Sequence, residues 1–130
     1  QLGHQILAGS MPRLIKNSDK ILRDFVFIED VVQANIKACD AINLPNNYGI
    51  FNVGTGKSRS FQEISDILQE QLGTNLGTEY FPDPFNGYQL NTQADISLTQ
   101  ECLGYEPQFS LEKGIETYIS EIKRLYGEEL

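Results

Sequence analysis

Apolar residues recur along this chain with two alternating periods. Leu2, Ile6 and Leu7 fall on the buried side of an opening helical stretch that Gly9 stops. Met11-Pro12-Arg13-Leu14-Ile15 turns into a short extended segment. After the polar turn at 16–20, Ile21 to Ile28 returns as a strand, so that 13–28 can form a hairpin. Val31, Ala34, Ala38, Cys39 and Ile42 have helical spacing over 30–42, and Asp30 or Glu29 would cap that helix. Leu44-Pro45-Asn46-Asn47 has loop chemistry. Gly49-Ile50-Phe51-Asn52-Val53-Gly54 reads as a short strand of the kind buried in a parallel sheet.

The second half repeats the alternation. Ser60-Phe61-Gln62-Glu63 is a capping box that opens a helix through Leu72, with Ile64, Ile67 and Leu68 inward. Thr78 to Phe81 is a brief strand. Asp95 is placed to cap a short helix through Cys102 that stops at Gly104. Ser110 caps a last helix, where Leu111, Ile115, Tyr118, Ile119, Ile122 and Leu125 make one stripe. Strands alternating with helices indicate an α/β fold. No repeat is visible, and Glu128-Glu129 closes the chain as a solvated tail.

Composition narrows what such a fold can do. At 130 residues, 40% of them apolar, the chain suffices for one domain (1–130) with its own core. A net charge of -8 speaks against nucleic acid and anionic membrane, because both demand a basic footprint. No apolar run approaches a membrane span, and no charged n-region precedes an apolar h-region, so a cytoplasmic protein is expected. Cys39 and Cys102 lie in helix-like stretches and read as reduced, partly buried thiols. Two cysteines and one histidine cannot close a structural zinc site. The chain opens inside a helix, at Gln1-Leu2-Gly3, without an initiator methionine, and so reads as a fragment.

Several residues invite functional readings that simpler ones explain. Gly54-Thr55-Gly56-Lys57-Ser58 resembles a phosphate loop, but Phe51 and Arg59 stand where two phosphate-loop patterns require glycine. A tight strand-to-helix turn is the better reading. His4 is a lone histidine in a helix and is better taken as filler. Asp24, Glu29 and Asp30 are explained by helix caps and a strand-edge ion pair. Arg23, taken alone, fits an ion pair with Asp19 or Asp24; taken with its neighbours, its planar fork of donors suits a diphosphate.

Those neighbours carry a resemblance. Arg23-Asp24-Phe25-Val26-Phe27-Ile28-Glu29-Asp30-Val31 closely resembles a signature of extended short-chain dehydrogenase/reductases, the nucleoside-diphosphate-sugar epimerases and dehydratases. Asn52-Val53-Gly54-Thr55-Gly56 is similar to a core-sheet strand of that family. Tyr88-Gln89-Leu90-Asn91-Thr92-Gln93-Ala94-Asp95, with Phe81-Pro82-Asp83 upstream, is very similar to stretches of ADP-L-glycero-D-manno-heptose 6-epimerases. The similarity runs through essentially the whole chain and corresponds to the C-terminal, substrate-binding part of such an enzyme, with Rossmann-type sheet elements.

The resemblance implies roles residue by residue. Arg23 would contact the diphosphate of an ADP-sugar, and Tyr88 would belong to the substrate site. Ile15-Lys16-Asn17-Ser18 aligns with the family's nucleotide-sugar contact loop, although only Ser18 is identical. Gln1 stands where many members have a substrate-binding histidine, and it can hydrogen-bond but not carry a proton. Gly87 departs from a basic residue found beside the tyrosine in enterobacterial forms. The tyrosine–lysine pair, a second acid/base lysine and the glycine-rich loop for NADP all lie outside this stretch. No catalytic residue is therefore expected in 1–130, and NADP would be bound by an absent N-terminal half. The implied partners are an ADP-sugar and further copies in a homo-oligomer. Two other functions remain open: a different nucleotide-sugar enzyme on the same scaffold, or a non-catalytic binding module.

Overall fold

A computed structural model describes residues 1–41, 44, 48–84 and 87–127. Ile42, the loop residues 45–47, Asn86 and the closing Glu128-Glu129 lie outside the described residues. The elements run α1 (Leu2–Leu7), β1 (Arg13–Ile15), β2 (Leu22–Asp24), α2 (Ile28–Asp40), β3 (Ser58–Ser60), α3 (Phe61–Leu72), β4 (Glu79–Phe81), α4 (Ser97–Leu103) and α5 (Leu111–Tyr126). The alternation of strands and helices expected from the sequence is present.

Helices α1, α3 and α5 pack together around Ile6, Leu68 and Ile122, with Leu2, Ile64, Ile115 and Ile119 against them. Each follows from its apolar stripe and its ends. Ser60 and Glu63 close the capping box reciprocally at the start of α3, and Gly73 ends that helix in the left-handed region at φ 69°. Ser110 Oγ accepts from the Lys113 amide at the start of α5. In the last stripe Tyr118 and Leu125 stay exposed while Ile122 is buried. A second small core joins Ala34 of α2, Ile96 and Tyr105.

The strands do not form the expected hairpin. β1 pairs in parallel with β4, in the register Arg13–Glu79, Leu14–Tyr80 and Ile15–Phe81. β2 pairs antiparallel with β3, Arg23 facing Arg59. The connection β3–α3–β4 carries the chain from one small sheet to the other, so β1 and β2 find partners distant in sequence rather than each other. The strand expected through Ile28 stops at Asp24, and Phe25 to Phe27 lead into α2 without ladder bonds. On the other side of β2, the Leu22 amide donates to Leu90 O at 2.7 Å and the Thr92 amide donates to Leu22 O at 3.1 Å. That parallel bridge fastens the segment after Tyr88 to the strand bearing Arg23.

Neither acid expected to cap α2 does so. The helix starts at Ile28 with Phe27 as its unassisted N-cap. Asp30, 1% exposed, accepts from the amides of Gln108 at 2.8 Å and Phe109 at 3.1 Å. Its charge still lies in the first helical turn, where the helix dipole favours an anion. Residues 49–54 form no strand. They are held by side chains: Thr99 Oγ1 donates to Asn52 O at 2.6 Å, and the fully buried Tyr105 donates its phenol to Gly54 O at 2.8 Å. No neighbouring strand is available to them among the described residues. Desolvation, aided by the charges of Asp30 and Asp24, pushes the Tyr105 phenol up to about 12, so it serves as a neutral donor. Cys39 is exposed rather than partly buried.

Asp24 ties these pieces together. Its Oδ1 accepts from the Thr55 amide at 2.8 Å and the Thr55 hydroxyl at 2.6 Å. Its Oδ2 accepts from the amides of Gly56 at 2.9 Å and Ala94 at 3.2 Å. Hydrogen bonds to a charged acceptor contribute about 1.5–3 kcal/mol each, and unsatisfied buried amides cost comparable amounts. Replacement Asp24→Ala is expected to lower unfolding stability by about 3 kcal/mol. Asp19→Ala on the exposed turn should change it by less than about 0.5 kcal/mol. Urea denaturation of the two variants reads the contrast directly.

Candidate functional site

A cleft of about 360 Å³ opens between the N-terminus of α1, the β1–β4 sheet and the start of α3. Gln1, Arg13, Ile15, Phe61, Phe81 and Tyr88 are among its walls. It combines aromatic rings with an amide, a guanidinium and a phenol, which is the composition of a site that orients a polar ligand. A second groove of about 250 Å³ runs along α5, lined by Phe25, Phe27, Leu111 and Ile115, with Ser110 and the Tyr118 phenol as the polar groups in its lining.

Arg23 stands against the first cleft. Its guanidinium carbon lies 5.2 Å from the centroid of the Tyr88 ring and 5.9 Å from that of Phe61, and both rings line the cleft. Nη1 donates to the carbonyl of Leu22 at 2.7 Å. Among the described residues Arg23 makes no ion pair. The two acids proposed as simpler partners are not used: Asp24 is committed to the 55–56 turn and to Ala94, and the cross-strand neighbour of Arg23 is another cation, Arg59.

Two like charges opposite one another on a ladder destabilise it unless one is neutralised. Arg59 is the neutralised one. Its Nε meets Glu63 at 2.8 Å and its Nη2 meets Glu112 at 2.6 Å. The bond to Arg59 holds the Glu112 carboxyl down at about 2, and its own backbone amide helps. Glu63 is also lowered, first by the Ser60 amide of the capping box and then by Arg59. The arrangement leaves Arg23 half-buried on an aromatic shelf, its charge uncompensated by a neighbouring carboxylate.

The structure brings Gln1, Ile15 and Tyr88 into one cleft with Arg23 beside it. The rest of the expected contact loop is distributed differently. Lys16 and Asn17 are exposed, and Asn17 takes a left-handed φ of 62°, a conformation asparagine tolerates. Ser18 is fully buried, and its hydroxyl donates to Gln62 Oε1 at 3.2 Å. Phe61 and Arg13 were not singled out by the sequence. Arg13 pairs with Glu79 at 3.3 Å and lies 5.8 Å from the Phe81 ring centroid. Arg13 is placed by the parallel β1–β4 pairing and Phe61 by the antiparallel β2–β3 pairing, neither of which a local pattern announces.

The glycine-rich turn is an anion cradle of an internal kind. Successive backbone amides can bind a phosphate, but here Thr55 and Gly56 give theirs to Asp24. At Gly54 a Cβ would lie 2.6 Å from Asp24 Oδ2 and 2.7 Å from Ala94 Cβ, so glycine is needed for the close approach. This turn therefore does not fit a dinucleotide. His4 is exposed, with its ring 5.1 Å from that of Tyr126. No helix among the described residues is long and apolar enough to cross a membrane.

The chain is 37% identical, over 97% of its length, to an ADP-L-glycero-D-manno-heptose-6-epimerase of Brachyspira hyodysenteriae, and covers 39% of that protein. Among solved structures it superposes on the Helicobacter pylori ADP-L-glycero-D-manno-heptose-6-epimerase with a TM-score of 0.81 at 40% identity, covering 94% of this chain and 36% of that one. It also superposes on the UDP-glucuronic acid 4-epimerase of Bacillus cereus in complex with UDP-glucuronic acid and NAD, with a TM-score of 0.84 at 27% identity. That match covers 96% of this chain and 39% of the other. No protein-family model matches. The chain thus spans about two-fifths of the length of these relatives.

The Arg59 bridge has a pH signature. The folded Glu112 carboxyl titrates at about 2 against an ordinary 4.5, so the unfolded chain takes up this proton first as pH falls. The bridge's contribution is complete above about 4.5 and is lost as pH drops through about 2. Because both partners are substantially exposed, screening limits it to about 0.5–1 kcal/mol. Glu112→Gln should lower the melting temperature slightly at pH 7 and flatten the acid limb of its pH dependence. Thermal unfolding followed from pH 7 to pH 2 checks both.

Proposed function

Since these 130 residues have the fold of the C-terminal part of extended short-chain dehydrogenase/reductase epimerases, and a sequence similar to that part of ADP-L-glycero-D-manno-heptose 6-epimerases, we propose that they bind and orient the ADP-sugar of such an enzyme. The reaction would be the interconversion of ADP-D-glycero-D-manno-heptose and ADP-L-glycero-D-manno-heptose at C6. The observation that carries this reading is Arg23, an arginine without an ion pair among the described residues, lying over Tyr88 beside the cleft that also contains Gln1 and Ile15. A guanidinium poised over an aromatic ring binds a diphosphate through forked, charge-assisted hydrogen bonds. The Tyr88 phenol adds a further donor. Gripping the diphosphate lets the sugar turn to present its other face while the nucleotide stays fixed.

Within this reading, Ile15, Lys16 and Asn17 border the nucleotide-sugar, Ser18 braces that turn from inside, and Gln1 offers an amide to the sugar. No residue of 1–130 acts as acid or base. NADP, the oxidant and reductant that such an inversion uses, would be held by a half outside the chain. The exposed stripe of Ile28, Val32 and Ile36 on α2 supports such a half, because it presents an apolar face with nothing over it among the described residues. The complete enzyme would be a cytoplasmic homo-oligomer serving lipopolysaccharide synthesis. A second reading, a UDP-sugar epimerase on the same scaffold, is favoured by the close superposition on the UDP-glucuronic acid enzyme.

Tests follow on the polypeptide as its source cells make it. A mass well above 14.7 kDa is expected, together with epimerisation of ADP-D-glycero-D-manno-heptose and tighter binding of ADP than UDP. Tighter binding of UDP would turn the assignment to the second reading. A mass of 14.7 kDa without nucleotide affinity would leave only a non-catalytic module. Arg23→Ala should weaken substrate binding by about 2–5 kcal/mol. A substrate Kd unchanged in calorimetric titration would eliminate the diphosphate clamp.

A further inference from the structure

Phe61 occupies a position that its place in the capping box does not explain. As the first residue of α3 it needs only helical backbone, and any good helix former would serve there. Yet its ring is half-buried, lines the cleft and lies on the guanidinium of Arg23, 5.9 Å from centroid to carbon. Phe25, two residues beyond Arg23, meets the same ring edge-on with centroids 5.4 Å apart and an interplanar angle of 77°. The ring is therefore fixed from one direction by an aromatic edge and bears a cation from another. Tyr88 supplies the second ring against Arg23 at 5.2 Å.

We propose that Phe61 is a positioning residue for the nucleotide-sugar: it forms, with Phe25 behind it, the rigid shelf that holds Arg23 ready for the diphosphate. The inference rests on the ADP-sugar reading above and adds to it a residue and a mechanism. An arginine has substantial rotamer entropy to lose when it grips a ligand. A guanidinium already laid on an aromatic face loses less of it on binding, and apart from the Nη1 bond to Leu22 O the ring faces leave its N–H donors open to a ligand. The ladder supports the arrangement from below. Arg59, opposite Arg23, is bridged to Glu63 and Glu112, so the shelf has to accommodate one uncompensated cation rather than two. The sequence Arg23-Asp24-Phe25 thereby acquires a division of labour. Arg23 meets the ligand, Asp24 fixes the strand to its surroundings, and Phe25 backs the ring under Arg23.

A double-mutant cycle separates positioning from simple wall-building. ADP is titrated calorimetrically into the polypeptide as its source cells make it and into Phe61→Met, Arg23→Gln and the double variant. Methionine keeps the volume and removes the ring. Phe61→Met should raise the Kd for ADP about fivefold, the size of one cation–π contact. In the Arg23→Gln background the same change should leave the Kd within about 1.5-fold, because nothing remains to be positioned. Phe61→Tyr, which keeps the ring, should bind ADP like the parent. Should Phe61→Met unfold the protein, the cycle is run with Phe61→Leu and with Phe25→Leu, which removes the backing while sparing Phe61. An equal loss in both backgrounds, or no loss in either, overturns the positioning role and leaves the Arg23 clamp standing. An Arg23→Gln variant that binds ADP like the parent overturns the clamp and the positioning role together.

Discussion

A single carboxylate, that of Asp24, joins three stretches of chain that have no local reason to meet. It accepts from Thr55 twice, from Gly56 and from Ala94, and each of those donors belongs to a segment without regular secondary structure. Backbone amides in such segments need partners as much as those in helices do. Asp24 supplies them from the end of a strand whose other neighbours are β3 and the 90–92 segment. The turn at 54–56, the approach to α4 and the strand bearing Arg23 are consequently one unit. Asp30 repeats the device on a smaller scale, pinning Gln108 and Phe109 ahead of α5. Two acids thus supply acceptors to backbone amides that no strand pairs among the described residues.

The position of Arg23 is a consequence of that unit. Because the segment after Tyr88 is fastened to β2 through Leu22, the tyrosine arrives beside the arginine, 65 positions away in sequence terms of the residue numbers 23 and 88. Because β3 runs directly into α3, Phe61 arrives on the other side. Charge is arranged with the same economy: of two cross-strand arginines, one is closed by two glutamates and the other is left on aromatic rings. An ion pair at Arg23 would have to be broken before a phosphate could bind, and the desolvation of both partners would oppose it. Under the proposed diphosphate clamp, aromatic support avoids that competition.

The site nevertheless looks one-sided by itself. Its cleft is walled by β1, β4, α3 and the start of α1, while α2 turns Ile28, Val32 and Ile36 outward. Relatives that match 94–97% of the chain are about two and a half times as long, the chain covering 36–39% of them.

Local patterns determined much of this protein on their own. Helices α1, α3 and α5 were legible from their apolar stripes, with serine caps opening α3 and α5, because such short-range terms act within a few residues and add up without help from the rest of the fold. Arg23 and Tyr88 were legible as a pair only through the resemblance of their surroundings to known enzymes. What the tertiary structure alone decided is pairing. A three-residue strand carries too little pattern to name its partner, so β1 joined β4 and not β2, and 49–54 joined no strand. The roles of acids were decided in the same way: Asp24 and Asp30 read as an edge ion pair and a helix cap, yet became acceptors for amides 31 to 79 positions away. A carboxylate's hydrogen bonds go to whichever unsatisfied donors folding brings within about 3 Å, and sequence spacing contains no record of that distance.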